Sequence, residues 1–215
     1  MTNMLRVNEI FVSIQGESTY AGQLCGIIRL SGCNLRCRYC DTRYAYDDYF
    51  LATVDEICNQ IGQYQTPLLL LTGGEPLLQE ESYELMDRLS CLGHTVLLET
   101  NGSIDISRVP PGVVKIVDLK CPGSGESQQI CWENLERLAP SDEVKFVISN
   151  QEDLEWATQI VAHYQLGKVC RVLFSPAFGW IEPSTLAEWI INHHLPVRLQ
   201  LQLHKIIWGK EARGR

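Results

Sequence analysis

The chain has 215 residues, of which 45% are hydrophobic and 20% are charged. This length suits one domain with a substantial core, and the composition argues against extensive disorder. The 26 acidic and 18 basic residues give a formal charge of −8, which excludes a broad basic surface for nucleic acid. The longest aliphatic run, residues 68–71, is too short to span a membrane, and the N-terminus lacks the apolar stretch of a secretory signal. We therefore expect a single domain over residues 1–215, in the cytoplasm.

Strand-like and helical segments alternate along the chain from Gly26 onward. An earlier run, residues 8–18, is predicted to be a strand that leads into a glycine turn, with an edge hairpin as an equal alternative. The further predicted strands span residues 27–30, 68–72, 95–98, 113–117, 144–148, 169–174 and 197–203, and the helices span 53–64, 80–92, 152–164 and 183–193. Thr53 and Glu56 have the spacing of a capping box at the first helix.

Two of the predicted strands have informative patterns. Residues 68–72 are continuously apolar, as is typical of a parallel strand that is buried on both faces. Residues 197–203 alternate strictly, which predicts a strand with one face toward a cavity or solvent. Strands joined by helical crossovers indicate a parallel sheet with helices outside it. Because a closed eight-stranded barrel usually needs about 250 residues, we predict an α/β fold, a partial and open TIM-like barrel.

The nine cysteines are an odd number, so they cannot all pair in disulfides. Cys33, Cys37 and Cys40 have CxxxCxxC spacing directly after a predicted strand. An ordinary 4Fe–4S cluster takes four thiolates, so three would leave one iron open to a ligand from outside the protein. Structural zinc needs a fourth ligand and often a second CxxC pair, which this sequence lacks; zinc or a chance group of buried thiols is the alternative. The other six cysteines are predicted to be core residues: Cys25, Cys58, Cys91, Cys121, Cys131 and Cys170.

Polar residues follow three successive predicted strands. Gly73, Gly74 and Glu75 follow the strand at 68–72, and the next two strands end near Glu99 and Asn101 and near Asp118 and Lys120. Since the carboxyl ends of parallel strands share one rim, where α/β proteins bind ligands, we expect a binding site there. The alternative is ordinary turns and polar loops.

These features together resemble a known family. The CxxxCxxC triplet is similar to the signature of the radical S-adenosylmethionine superfamily, and Gly73-Gly74-Glu75 is similar to its GGE motif. Within it, residues 8–18, Arg29 and residues 40–42, 71–76, 98–102, 118–125 and 201–205 resemble the 7-carboxy-7-deazaguanine synthase family. The resemblance implies a radical S-adenosylmethionine core fold. It also implies a carbon–nitrogen lyase of queuosine and 7-deazapurine biosynthesis, which converts 6-carboxy-5,6,7,8-tetrahydropterin to 7-carboxy-7-deazaguanine with release of ammonia.

The resemblance also implies the cofactors and the site residues. The cofactors are a 4Fe–4S cluster held by Cys33, Cys37 and Cys40, S-adenosylmethionine, and Mg²⁺ with Thr42 as its ligand. The S-adenosylmethionine contacts are Tyr39, Cys40, Asp41, Gly74, Glu75, Glu99, Asn101, Asp118, Leu119 and Lys120. The substrate contacts are Ile14, Gln15, Gly16, Arg29, Thr72, His204 and Lys205. The guanidinium of Arg29 suits a carboxylate, whereas a packed core histidine is an equal alternative for His204.

The expected partners are the pterin substrate and an electron donor such as flavodoxin or ferredoxin, in a homodimer that binds neither nucleic acid nor membrane. For residues 43–51 a substrate lid, a dimer contact and a reductase-docking surface are all open. Some family members bring their C-terminus to the substrate, but this chain continues through residues 209–215, so that contact is not carried over. The alternative functions are a glycyl-radical-enzyme activase and a non-enzymatic iron–sulfur redox sensor or zinc-binding module.

Overall fold

The computed structural model describes residues 4–210 and 212–215. Among these residues, nine strands form one sheet: β1 (Met4–Ile14), β2 (Leu24–Leu30), β3 (Phe50–Thr53), β4 (Leu68–Gly73), β5 (Thr95–Thr100), β6 (Val114–Asp118), β7 (Glu143–Ile148), β8 (Arg171–Pro176) and β9 (Arg198–Leu199). Their order is β3-β1-β2-β4-β5-β6-β7-β8-β9. The pairs from β2 to β9 are parallel, and β1 is antiparallel to both β2 and β3. Because β3 and β9 are edges of the sheet, the predicted open barrel is confirmed.

Five α-helices lie between strands of the described chain: α1 (Val54–Gly62), α2 (Glu81–Cys91), α3 (Gln151–His163), α4 (Leu166–Val169) and α5 (Pro183–Asn192). A sixth, α6 (Leu203–Trp208), follows β9. The predicted capping box is confirmed at α1. The Thr53 hydroxyl accepts a hydrogen bond from the Glu56 amide, and the Glu56 carboxylate accepts one from the Thr53 amide at 2.8 Å. These bonds satisfy amide donors that the first turn of a helix leaves unpaired. Within the described part of the chain, no helix is long and apolar enough to cross a membrane.

Side chains alternate along each strand between two faces of the sheet. One face packs against the helices, and the other is the inner face of the open barrel. In β4, Leu69 and Leu71 pack against the helices, whereas Leu68 and Leu70 belong to a smaller apolar cluster on the inner face of the sheet. The inner-face positions beyond that cluster become polar toward the carboxyl ends of the strands, as with Thr72. Since successive residues of a strand point to opposite faces, the same pattern places polar side chains from several strands around one opening.

The predicted strand at residues 197–203 is wrong beyond its first part. Only Arg198–Leu199 pairs with β8, and Leu203 begins α6. The Leu203 amide donates a hydrogen bond to the carbonyl of Gly16 at 2.9 Å. The chain therefore leaves the sheet after Leu199 and packs beside the β1–β2 turn at Gly16. The apolar–polar alternation of residues 197–203 thus does not correspond to a longer strand.

The N-terminal third also differs in detail from the sequence prediction. Residues 8–18 do begin with a strand that forms a hairpin with β2, and β3 pairs only with Met4–Val7, so within the described chain residues 8–14 have β2 as their one partner strand, as in the edge-hairpin alternative. The sequence pattern did not indicate β3, which is only four residues long. The segment at 43–51 begins with a short 3-10 turn, Arg43–Ala45, and ends in β3 at the edge of the sheet.

Candidate active site

A cavity of about 290 Å³ lies at the carboxyl ends of the parallel strands. Its wall combines the inner-face ends of β2, β4, β5, β6 and β7 with three loops. These are the loop after β2 that carries the cysteine triplet, the β1–β2 loop (residues 15–23), and the chain after β9 (residues 200–210 and 212–215). We refer to residues 31–42 as the cysteine loop. All three thiols of the triplet border this cavity.

The cysteine loop holds its thiols available for ligands. Cys37 is buried, Cys33 and Cys40 are half-buried, and none of the nine cysteines, all of which the structure describes, is in a disulfide. Burial raises the pKa of Cys33, and it raises the pKa of Cys37 to about 11. Cys33 and Cys37 are thus protonated at neutral pH, and such thiols lose their protons when a metal cluster binds. The amide group of Asn101 points at the Cys33 sulfur, with Nδ2 at 3.8 Å.

The three thiols do not converge on one point as the ligands of a single metal ion do. Among residues 4–210 and 212–215, no three His, Cys, Asp or Glu side chains could hold one metal ion together. A cubane cluster instead takes each thiolate at a different iron atom. Three separated thiols of one loop facing one cavity therefore fit an iron–sulfur cluster.

Two glycines pack the end of β4 against the cysteine loop. A Cβ atom on Gly73 would lie 2.1 Å from the Leu30 carbonyl oxygen, and one on Gly74 would lie 2.1 Å from that of Gly32. The Gly74 and Glu75 amides donate hydrogen bonds to these same two carbonyls, at 3.1 and 2.8 Å. Only glycine permits so close an approach of two backbones, so this contact fixes where the cysteine loop lies relative to β4.

Glu75 is completely buried and turned away from the cavity. Its carboxylate accepts hydrogen bonds from the Leu77 amide at 3.0 Å, the Thr100 hydroxyl at 2.9 Å and the Asn101 amide at 2.6 Å. Burial raises the pKa of Glu75 to about 7, and these three donors moderate the rise. In this structure Glu75 joins the ends of β4 and β5 and positions Asn101 at the cavity.

Acidic and basic side chains alternate along the rim from β5 to β7. Asp118 forms an ion pair with Lys120 at 2.8 Å, and Lys145 lies 3.7 Å from the same carboxylate oxygen. The other oxygen, Oδ1, is buried and accepts no hydrogen bond from the residues that the structure describes. Burial lowers the pKa of Lys120, but Asp118 outweighs it and the pKa is raised. The unpartnered oxygen is an acceptor that suits a hydroxyl or ammonium donor of a bound cofactor.

The opposite wall presents Arg29, held by its neighbours. Its Nε atom donates to Glu9 at 2.7 Å, and the Tyr44 hydroxyl donates to the same Glu9 oxygen at 3.1 Å. The guanidinium carbon lies 5.9 Å from the centre of the Tyr44 ring. Because Glu9 occupies Nε, the two Nη groups remain for a bidentate carboxylate partner.

Hard oxygen donors lie beside this wall. The Thr42 hydroxyl donates to Asp41 at 2.9 Å, and Asp41 forms an ion pair with Lys205 of α6. Burial raises the pKa of Asp41, but Lys205 outweighs it and lowers the pKa to about 2. A hydroxyl and an ionised carboxylate side by side fit Mg²⁺, which keeps several waters in most protein sites.

Comparison with known proteins identifies the family. Residues 27–116 match the model of the Radical SAM superfamily. The 7-carboxy-7-deazaguanine synthase of Chlorobaculum tepidum is 45% identical, over 98% of this chain and 97% of the relative. That of Koribacter versatilis is 44% identical, over 98% of this chain and all of the relative. The chain belongs to the 7-carboxy-7-deazaguanine synthase family.

The fold is also similar to that of a solved structure. The crystal structure of QueE from Escherichia coli superposes with a TM-score of 0.77, covers 94% of this chain and 95% of that chain, and has 24% sequence identity. This fold, together with the match of residues 27–116 to the Radical SAM superfamily, confirms the radical S-adenosylmethionine core predicted from the cysteine triplet. The resemblance to 7-carboxy-7-deazaguanine synthases that the N-terminal and C-terminal motifs predicted is confirmed too.

The cavity of this 7-carboxy-7-deazaguanine synthase family member brings together most of the residues predicted from sequence. Those that border it are Ile14, Gln15, Gly16, Arg29, Cys33, Cys37, Tyr39, Cys40, Asp41, Thr42, Thr72, Gly74, Glu99, Asn101, Asp118, Lys120, His204 and Lys205. Glu75 and Leu119 do not border it. Leu119 follows Asp118 and therefore points to the opposite face, into the core against the helices. His204 is half-buried, Gly16 packs on its ring, and burial lowers its pKa despite the nearby Glu17.

Several cavity residues were missed by the sequence analysis. Lys145 and Glu17 form an ion pair on the rim, and Tyr44 packs near Arg29. The available signal for Lys145 was a basic residue within an otherwise apolar strand. Arg29 in β2 gave the same kind of signal. Contact with the last residues of the chain, within 209–215, was not carried over to the site, but residues 212–215 border the cavity, with the Arg213 guanidinium 4.1 Å from the Tyr44 ring centre.

Proposed function

We propose that this chain catalyses the reaction of its family, the conversion of 6-carboxy-5,6,7,8-tetrahydropterin to 7-carboxy-7-deazaguanine with release of ammonia, in queuosine biosynthesis. This is a carbon–nitrogen lyase reaction. One observation carries the proposal: a single cavity is bordered both by the three thiols of the CxxxCxxC motif and by Arg29 and Gln15. A cluster site and a site for a carboxylated heterocycle thus share one cavity.

The radical S-adenosylmethionine superfamily implies a 4Fe–4S cluster and S-adenosylmethionine. Cys33, Cys37 and Cys40 would hold the cluster, and the unpartnered Oδ1 of Asp118 and the backbone of Gly74 suit S-adenosylmethionine. When bound, these cofactors would supply the radical chemistry for removal of a hydrogen atom from the substrate. The polypeptide binds and orients the reactants and excludes water from them.

The substrate side is arranged for a carboxylate on a flat ring. The Nη groups of Arg29 point to a bidentate contact with the substrate carboxylate. Gln15 and Gly16 would contact the ring edge, and Thr42, with Asp41 beside it, would bind Mg²⁺ together with substrate oxygens. Arg213 stacked on Tyr44 narrows access to this wall and thereby limits the entry of water.

The proposal includes the partners and the setting of the reaction. The cluster needs an external electron, for which a flavodoxin or ferredoxin is the expected donor, and the working unit is a homodimer. A single domain over residues 1–215 is supported by one sheet that runs from β1 to β9. A cytoplasmic location is supported by nine unpaired thiols, which fit a reducing compartment.

The test is anaerobic reconstitution with iron and sulfide, followed by an assay with the carboxylated pterin in the presence and absence of Mg²⁺. We expect product with S-adenosylmethionine, faster turnover with Mg²⁺, and no product from Cys37→Ala. Cys58→Ala is the matched control, because Cys58 is a buried thiol in α1 that packs in the core away from the cavity. Turnover by Cys37→Ala at the rate of Cys58→Ala would contradict the cluster assignment.

A further inference from the structure

Strand β7 carries two charged residues on the face that looks into the barrel. Val144, Phe146 and Ile148 point outward into the main core, so Glu143 and Lys145 point inward. Glu143 is completely buried, and Lys145 is 4% exposed. Apolar packing of the sheet does not require charged side chains here. Since buried charges are rare unless they are paired, each of the two must have a partner.

Both charged residues bind the β1–β2 loop, which approaches from the far side of the opening. The Glu143 carboxylate accepts hydrogen bonds from the Thr19 amide, at 3.0 Å, and from the Thr19 hydroxyl. The Lys145 ammonium donates to Glu17 Oε2 at 2.8 Å. In the sheet, β4, β5 and β6 separate β2 from β7. These bonds therefore cross the open barrel rather than follow the ladder.

Lys145 joins that loop to the rim where the cofactor contacts lie. Its ammonium also forms an ion pair with Glu99 at the end of β5 and lies 3.7 Å from Asp118 at the end of β6. Burial alone lowers the pKa of Lys145, but Glu17, Glu99 and Asp118 outweigh it, so the ammonium stays charged. Without that cation, the neighbouring carboxylates of Glu17 and Glu99 would both lose their ion-pair partner.

We propose that Lys145 is a positioning residue that, together with Glu143, clamps the β1–β2 loop across the barrel opening and so fixes Gln15 and Gly16 against the substrate. It acts through Glu17, whose second oxygen accepts a hydrogen bond from Gln202 at 2.9 Å. The clamp thereby also reaches the segment that leads into α6. The identity of the ligand in this proposal rests on the proposed function, whereas the clamp itself does not.

Hydrogen exchange of the cluster-free protein tests the clamp without any ligand. We expect the amides of residues 15–23 to exchange at least about tenfold faster in Lys145→Met, the factor that about 1.4 kcal/mol of lost pairing energy produces. Lys115→Met is the matched control, because Lys115 of β6 forms a similar ion pair with Asp142 at 2.9 Å but does not border the cavity. Exchange in this loop that is equal in Lys145→Met, Lys115→Met and the wild type would overturn the clamp.

Anaerobic calorimetry with the carboxylated pterin tests the consequence for binding. Lys145→Met and Glu17→Gln should each weaken binding about tenfold or more, and the double variant should be within about threefold of the weaker single variant, since residues that act as one unit are not additive. Multiplied losses in the double variant, or unchanged binding in Lys145→Met, would overturn the positioning role. If the wild type does not bind the pterin, the proposed function fails, and the exchange experiment alone decides the clamp.

Discussion

Gly74→Ala is the substitution for which the structure gives the sharpest expectation. The added Cβ would lie 2.1 Å from the Gly32 carbonyl oxygen and 2.8 Å from the Cys33 Cβ, whereas ordinary contacts begin near 3.4 Å. The obstacle is backbone and cannot rotate away. The cysteine loop must therefore move by more than 1 Å (roughly the overlap to be relieved).

The expected loss of stability has two sources, the steric clash of the added Cβ and a lost hydrogen bond. Overpacking of this kind costs about 1–3 kcal/mol. Loss of the hydrogen bond from the Glu75 amide to Gly32, now 2.8 Å long, adds about 1 kcal/mol. We expect Gly74→Ala to lower the free energy of unfolding by about 3 kcal/mol. Because Cys33 follows Gly32 directly, we also expect less iron and sulfide per chain after reconstitution.

Urea unfolding of the cluster-free protein measures the first effect, and iron and sulfide analysis measures the second. Gly62→Ala is the control: Gly62 ends α1, is exposed, and has no neighbouring atom within 4 Å of the place that an added Cβ would take. That change should be neutral or stabilise by up to about 1 kcal/mol. If Gly74→Ala unfolds at the same urea concentration as Gly62→Ala and takes up a full cluster, the argument from backbone contact is refuted.

Three further predictions concern single side chains. Folding raises the pKa of Glu75 from 4.5 to about 7, so the folded chain binds more protons between these pH values and the free energy of unfolding falls as pH rises. Glu75→Gln should remove about 3 kcal/mol of that fall, seen as a flatter stability profile in urea titrations; parallel profiles would contradict it. Thr53→Ala should destabilise the cluster-free protein by about 1 kcal/mol through loss of the α1 cap, in thermal or urea unfolding, and leave cluster content unchanged. Arg29→Lys should raise KM for the pterin about tenfold or more, because an ammonium cannot bond Glu9 and a carboxylate with the same fork geometry; an unchanged KM in steady-state assays would remove Arg29 from the substrate site.

Local sequence patterns were sufficient to predict the elements that build the site. The apolar run in β4, the capping box at Thr53 and the alternation of strands and helices depend on neighbours within a few residues, and each is present in the structure. The spacing of the cysteine triplet is likewise a local pattern, because one loop carries all three thiols. That spacing was enough to predict the radical S-adenosylmethionine core. The partial barrel follows from these elements and from the length of the chain.

Only the tertiary structure decided which side chains face each other across the barrel. Glu75, next to two glycines of the rim, turns away from the cavity because three donors, from the turn after β4 and from the end of β5, satisfy its carboxylate there. Lys145 reaches Glu17, 128 residues away in sequence, because the sheet curls until β7 faces the β1–β2 loop. Sequence periodicity determines the face of a strand on which a residue lies. The partner of a buried charge depends instead on how distant segments pack, which no local pattern encodes.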